Sequence, residues 1–169
     1  MKLIINIHDT VNKPNVASFV ARTLKQNPDA YYLYFPWIDI TGKEMEKVSQ
    51  KFPRAQERSF LIAPKEKMQH RFEPYNASLT NALAILAEKR KRGELVEVVL
   101  FGGSASVCYR NICPNVVEQL YKTFGRTNVI ARSHLPLIYG RHGPKGEFLH
   151  TPAELGAIKK KQNQTRRKR

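Results

Sequence analysis

A cysteine ends a segment whose composition suits a ligand site, residues 96–108, VEVVLFGGSASVC. Its apolar first half predicts a strand buried on both faces, as in a parallel α/β sheet, and ligands of such sheets gather at the carboxyl ends of the strands. The small residues that follow let a backbone approach a ligand closely, and amides at a helix start hold anions or lower a thiol's pKa. Cys108 is therefore a candidate nucleophile. Since cysteine is also among the most buried residue types, a packed and inert thiol is the alternative.

Two further polar residues follow apolar runs. The run KLIINI at residues 2–7 predicts a first buried strand, and Asp9 comes just after its carboxyl end. The run SFLIA at residues 59–63 predicts a third strand, and Lys65 begins the charged loop that follows it. Polar residues placed at strand ends in this way favour a pocket at the carboxyl edge of the sheet.

The remaining chain alternates between strand and helix patterns, which predicts a three-layer αβα fold with a mostly parallel, Rossmann-like sheet of about five strands. Pro114 is suited to the first turn of the helix before the last strand, and Gly125 to its end. A capping box at residues 151–154 predicts a short basic C-terminal helix that runs into a basic tail. The other predicted strands are residues 31–35, 96 onward and 128–131, and the other helices are residues 16–24, 41–52, 76 or 78 to 92, and 116–124.

Length and composition limit the class of protein. The 169 residues predict a single α/β domain at 1–158, followed by a basic tail, 159–169, whose composition predicts disorder. Two cysteines five residues apart, with no signal-peptide pattern, favour a cytoplasmic or other reducing intracellular compartment. No apolar stretch approaches the roughly 18 residues of a membrane span, so no membrane partner is expected. The spacing of His134, His142 and His150 is not that of metal ligands, and neither a metal nor another cofactor is predicted.

Charge suggests a polyanionic partner. The chain carries 29 Lys and Arg against 14 Asp and Glu, a net charge of +15, and its last eleven residues contain seven basic residues and no acid. Basic side chains that neutralise phosphates release counterions, so nucleic acid is a candidate partner, and a tail that merely stays solvated is the alternative. The residues predicted to contact nucleic acid are Lys89, Arg90, Lys91 and Arg92 at a helix end and Lys159, Lys160, Lys161, Arg166, Arg167, Lys168 and Arg169 in the tail.

The order of an Asp after the first strand, a Lys before a long helix and a Cys in a small-residue loop resembles the isochorismatase-like cysteine hydrolases, which include nicotinamidases and carbamoyl amidases. The resemblance implies that Asp9 is the base toward the thiol and that Cys108 attacks a carbonyl or similar carbon. It also implies that Lys65, with Lys67 as a competing choice, supports the charged site. It also implies an oxyanion site of backbone amides. The residues implied for that site are Gly103, Ser104 and Val107.

Two classes of function therefore stay open. In the first, the chain is an isochorismatase-like hydrolase that acts on a small amide-like substrate through Cys108. In the second, it is a non-enzymatic α/β protein that binds nucleic acid, or regulates an acidic partner, through its basic tail. The glycines at residues 102 and 103 support an anion-binding turn, since the lysine and spacing of a P-loop are absent.

Overall fold

Five strands and four α-helices alternate along the part of the chain that the computed structural model describes, residues 1–8, 13–36, 43–64, 72–103 and 110–134. Short 3₁₀ turns at Pro53–Arg58, Glu73–Tyr75 and Arg126–Asn128 connect some of these elements. The strands are β1 (Lys2–Ile7), β2 (Tyr31–Phe35), β3 (Ser59–Leu61), β4 (Val96–Phe101) and β5 (Val129–Ser133), and the helices are α1 (Pro14–Gln26), α2 (Lys43–Lys51), α3 (Asn76–Lys89) and α4 (Arg110–Phe124).

The strands form one parallel sheet in the order β3-β2-β1-β4-β5. The chain builds the sheet outward from β1 through β2 to β3, then returns to the other side of β1 to add β4 and β5. The order therefore reverses between β1 and β4, and at such a point the loops leave in opposite directions and open a crevice at the carboxyl edge. The predicted three-layer α/β fold is confirmed.

Two apolar clusters hold the layers together, one on each face of the sheet. On the first face, α3 and α4 bury Leu83 and Val117 against Leu3, Ile5 and other odd-numbered residues of β1. On the second face, α1 and α2 pack with Ile4, Tyr32 and Phe101. Because both faces of the central strands are covered, β1 reads as a nearly continuous run of apolar residues.

The helix α4 corrects one expectation about Pro114. The sequence placed this proline in the first turn, whereas α4 starts at Arg110 and Pro114 lies inside the helix. A proline at that point removes one backbone hydrogen bond to the preceding turn. Burial outweighs that loss, because Ile112 and Cys113 in the extra turn are buried in the core between α4 and the sheet.

Other boundaries shift by a few residues. Strand β3 ends at Leu61 rather than at 63, β5 continues to Ser133 rather than 131, and α3 ends at Lys89 instead of 92. The predicted C-terminal helix at 151 and the basic tail lie outside the described residues. Within the described ranges, no helix combines the length and the apolar character needed to cross a membrane.

Candidate functional site

The crevice between β1 and β4 lies at the carboxyl edge of the sheet, where the loops that follow these two strands begin. The two strands are adjacent and parallel, with Ile5 opposite Leu100, so their carboxyl ends are about 4.8 Å apart. His8 directly follows β1, and Gly102 and Gly103 directly follow β4. The loops that contain Asp9 and Cys108 therefore begin at neighbouring points of the same edge.

His8 leaves β1 in a conformation that is unusual for its residue type. Its φ is +62°, in the left-handed region, where a non-glycine residue pays about 1–2 kcal/mol. Its backbone N–H donates to the carbonyl oxygen of Phe35 at 2.8 Å, which ties the end of β1 to the end of β2. The strand thus stops at a defined, strained turn immediately before Asp9.

A hydrogen-bonded chain fixes the His8 ring. Nε2 of His8 lies 2.9 Å from Oη of Tyr75, and the Tyr75 hydroxyl donates to the carbonyl oxygen of Pro36 at 2.6 Å. Since the single hydroxyl proton is directed to Pro36, Oη accepts from His8, and the Nε2 atom of the ring carries a proton. In the neutral ring, Nδ1 then has the lone pair.

Tyr75 gives this chain a rigid support. It is fully buried just before α3, and its ring packs against Phe35 with the centroids 5.4 Å apart. The sequence pattern did not single out His8 or Tyr75 as functional residues. The one available signal was that histidine is among the residues enriched in left-handed backbone.

Two glycines follow β4 with left-handed backbone. The φ angles of Gly102 and Gly103 are +87° and +72°, and this left-handed backbone favours glycine, which has no Cβ. Gly102 is buried, and Gly103, a residue predicted for the oxyanion site, is half-buried. The backbone therefore turns sharply at the crevice. Ser104 and Val107, predicted for the same site, lie outside the described residues.

The three residues of the predicted triad also lie outside the described residues, so only their neighbours locate them. Asp9 follows His8, and Cys108 stands two residues before the first residue of α4. Lys65 follows Pro64 beyond β3, and β3 is separated from β1 by β2, a lateral distance of about 10 Å. The strand order thus places the attachment points of Asp9 and Cys108 closer to each other than to that of Lys65 or Lys67.

A second histidine lies at the same edge on the α1 side of the sheet. His134 follows β5, its N–H donates to Leu100 at 2.8 Å, and its ring stacks on Phe19 at a centroid distance of 4.0 Å. Burial, and then the positive charge of Arg22, lower the pKa of His134 below its usual value. The ring therefore favours its neutral form. His142 and His150 lie outside the described residues.

The basic end of α3 lies at the opposite, amino edge of the sheet. Arg90 is half-buried: its Nε donates to the carbonyl of Glu94 at 2.7 Å, its guanidinium donates to the carbonyl of Phe124 at 3.2 Å, and it lies 5.8 Å from the centre of the Phe124 ring. Arg90 thus joins the ends of α3 and α4. Its neighbours Lys89, Lys91 and Arg92 are exposed.

A groove of about 540 Å³ runs along this amino edge. Its cationic walls are balanced in part by ion pairs, since Arg58 contacts Asp29 at 2.5 Å and Lys2 contacts Glu97 at 3.6 Å. The α-ammonium group of Met1 forms a third ion pair with Glu94, and its hydrogen bond lowers the pKa of that carboxyl. The basic side chains that line the groove are Lys2, Arg58, Lys89 and Lys91.

Comparison with known proteins found no similar family: no family model, no curated protein and no solved structure matches the chain.

Proposed function

We propose that the chain is a cysteine hydrolase that acts on a small amide-like substrate, with Cys108 as nucleophile and Asp9 as base. One observation carries this proposal: β1 and β4 are adjacent at the point where the strand order reverses. The two loops that contain these residues start side by side there, at the usual ligand position of a doubly wound sheet.

The described residues around the crevice support the proposal. The His8–Tyr75–Pro36 hydrogen bonds hold the backbone that leads into Asp9, and a base must be held within hydrogen-bond reach of the proton that it removes. Gly102 and Gly103 let the backbone approach a ligand closely on the other side. Backbone amides near Cys108 are the proposed oxyanion donors.

The reaction follows from these roles. Asp9 accepts the thiol proton of Cys108, and the sulfur forms a bond to the amide carbon while negative charge develops on the carbonyl oxygen. The C–N bond then breaks, and the amine leaves with the proton from Asp9. Water hydrolyses the resulting thioester, which releases the acid and restores the thiol. A cationic Lys65 or Lys67 near the site would favour the thiolate.

Alkylation of the folded protein tests the proposal. We expect brief iodoacetamide treatment to label Cys108 well before Cys113, which is buried in α4, and Lys65→Met to slow the labelling of Cys108 by lowering its thiolate fraction. Release of ammonia or amine from a panel of small amides should be lost in Cys108→Ser and retained in the matched variant Cys113→Ser. Labelling of Cys108 no faster than of Cys113, or hydrolysis that survives in Cys108→Ser, would contradict the assignment.

A second candidate function, nucleic-acid binding, is favoured by the groove at the amino edge. Lys89 and Lys91 line it, and among the described residues no carbonyl binds their side chains in the way that two carbonyls bind Arg90. Cations of this kind along a groove suit a phosphate backbone. This surface lies at the edge opposite the crevice, so the two functions do not compete for the same residues.

A further inference from the structure

A second cavity adjoins the groove at the amino edge of the sheet. Its volume is about 470 Å³, and it lies where α1 and α2 end. Pro28 lines both cavities, so the two meet at this residue. The apolar residues that line the second cavity, which we call the Phe52 pocket, are Ala21, Leu24, Pro28, Phe52 and Pro53.

Local structure holds the walls of the Phe52 pocket in place. The turn after α1 is closed by the side chain of Asn27, whose amide donates to the carbonyl oxygen of Thr23 at 2.9 Å. After α2, the backbone N–H of Phe52 donates to the carbonyl oxygen of Val48 at 2.8 Å. Leu24 and Phe52 pack on the apolar cluster beneath α1 and α2, but both stay half-buried. The pocket therefore presents apolar surface that a ligand can cover.

The groove on the other side of Pro28 combines positive charge with an aromatic ring. Its cationic groups outnumber its carboxylates, because Lys89 and Lys91 add to the three ion pairs already described. Tyr31 also lines the groove, and it is half-buried. Arg58 connects the two cavities, since its guanidinium donates to the carbonyl oxygen of Pro28 at 2.8 Å. A ligand that follows this edge meets cations, an aromatic ring and then an apolar pocket.

Base pairing decides which nucleic acid can use all three features. In a duplex the bases are stacked inside the helix, and its surface offers phosphates and base edges only. In a single strand the bases can leave the stack, and proteins bind them on aromatic rings while cations follow the backbone. We propose that the amino edge binds single-stranded nucleic acid, with one base in the Phe52 pocket and a neighbouring base on Tyr31. This proposal rests on nucleic-acid binding as the function of this edge, and it names the form of the nucleic acid.

Charge fits this occupant on both sides of Pro28. Lys25 and Lys51, in the last turns of α1 and α2, line the Phe52 pocket, and Lys89 and Lys91 line the groove. The phosphates that precede and follow an inserted base therefore both lie near cations, and each contact releases counterions. An acidic peptide would satisfy the same cations but would have no base to place in the pocket or on Tyr31.

Fluorescence anisotropy with the full chain tests the proposal. The probes are a deoxythymidine strand of about 12 nucleotides, within the length that single-strand binding folds occupy, an abasic strand of the same length, and the corresponding duplex. The measurement is made at about 50 mM salt, where phosphate contacts are strong. The deoxythymidine strand should bind about fivefold or more tightly than the abasic strand, which is the lower end of what one stacked base contributes. It should also bind more tightly than the duplex.

Variants locate the bases. Tyr31→Leu should weaken binding of the deoxythymidine strand about fivefold or more and leave binding of the abasic strand unchanged, whereas Tyr31→Phe keeps the ring and should bind like the original chain. Ala21→Gln narrows the Phe52 pocket from the exposed surface of α1 and should act as Tyr31→Leu does. Its matched control is Ala84→Gln, at an exposed alanine of α3 that is not among the residues lining either cavity. Lys89→Gln should weaken binding of both strands alike and reduce the salt slope by about 0.7.

The possible failures are distinguishable. Equal affinity for the three probes, or equal losses in Ala21→Gln and Ala84→Gln, would overturn the single-strand proposal while nucleic-acid binding stands. Polyglutamate should displace the deoxythymidine strand no better than the abasic strand does, and stronger displacement would assign the edge to an acidic protein instead. Failure of all three probes to bind at about 50 mM salt would overturn nucleic-acid binding itself, and the proposal with it.

Discussion

Nε2 of His8 donates to Oη of Tyr75 at 2.9 Å, across 67 residues of sequence. This bond connects the end of β1 to the turn that leads into α3, and through the Tyr75 hydroxyl it extends to Pro36 at the end of β2. The end of β1, the turn before α3 and the residue after β2 are therefore held together by one pair of side chains. The arrangement explains how a residue with φ of +62° persists at the end of β1: its neighbours fix its ring and its N–H.

We predict that Tyr75→Phe destabilises the protein by about 1–3 kcal/mol, because the Pro36 carbonyl and the His8 N–H both lose a buried partner. Urea unfolding measures this change. Tyr31→Phe is the matched control, since the Tyr31 ring is only half-buried against Phe60, and it should change stability much less. Equal effects of the two variants would show that the His8–Tyr75 bond contributes little.

A separate prediction concerns the effect of the left-handed backbone at His8 on the stability of the protein. His8→Ala and His8→Gly both remove the ring, but only alanine keeps a Cβ at φ of +62°, so the alanine variant should be less stable by about 1 kcal/mol. Both variants lose the hydrogen bond to Tyr75, so the difference between their unfolding midpoints in urea measures only the cost of a Cβ in the left-handed backbone. An alanine variant as stable as the glycine variant would mean that the turn relaxes when the ring is removed.

The sequence predicted most strands and helices of the fold, and the boundaries that differ have physical causes. The strands β1 and β2 have the predicted bounds because such nearly continuous apolar runs are rare outside a sheet that is covered on both faces. Helix α4 starts earlier than predicted, because burial of Ile112 and Cys113 overrides the local preference of Pro114. Tertiary contacts decide such boundaries, and local propensity does not include them.

The site was less readable than the fold. The loops that contain Asp9 and Cys108 follow β1 and β4, and these strands are adjacent in the sheet. A sequence pattern does not specify which strands pair. Asn6 shows the same limit: it interrupts an apolar run, yet it is fully buried because its amide donates to the Tyr32 hydroxyl at 2.6 Å. Arg90 looked like its basic neighbours, and only its contacts with two carbonyls distinguish it.

His134 should titrate below the ordinary histidine pKa in the folded protein, because its ring is partly buried on Phe19 and lies near Arg22. The neutral ring is then favoured by folding, so its contribution to stability is complete above pH 6.5, the unfolded value, and is lost as the pH falls from there toward the lower folded pKa. NMR titration of the ring proton signals measures the value. Arg22→Gln should raise it, and a pKa at or above 6.5 in the original chain would contradict this account.

Variants of Arg90 and Arg92 should affect different properties, the first the stability of the fold and the second the affinity for nucleic acid. Arg90→Met should destabilise the protein by about 1–2 kcal/mol, because the Glu94 and Phe124 carbonyls lose a charged donor, and the exposed Arg92→Met should leave stability nearly unchanged. In a nucleic-acid binding assay, Arg92→Met should weaken the affinity more than Arg90→Met does. Thermal unfolding and oligonucleotide titration on the same preparations give both readouts. If Arg90→Met weakens binding more while the fold is intact, Arg90 itself contacts the phosphates.

Removal of residues 159–169 should weaken nucleic-acid binding without an appreciable change in melting temperature. The tail is polar and carries seven of the 29 basic residues, so it contributes charge rather than buried apolar surface. Each phosphate contact that is lost should reduce the slope of log affinity against log salt by about 0.9 on duplex DNA. Full-length and shortened chains should therefore be titrated with duplex and single-stranded oligonucleotides at several salt concentrations. If the full-length chain does not bind at about 50 mM salt, where such contacts are strong, the tail has no role with nucleic acid and is a solvated end.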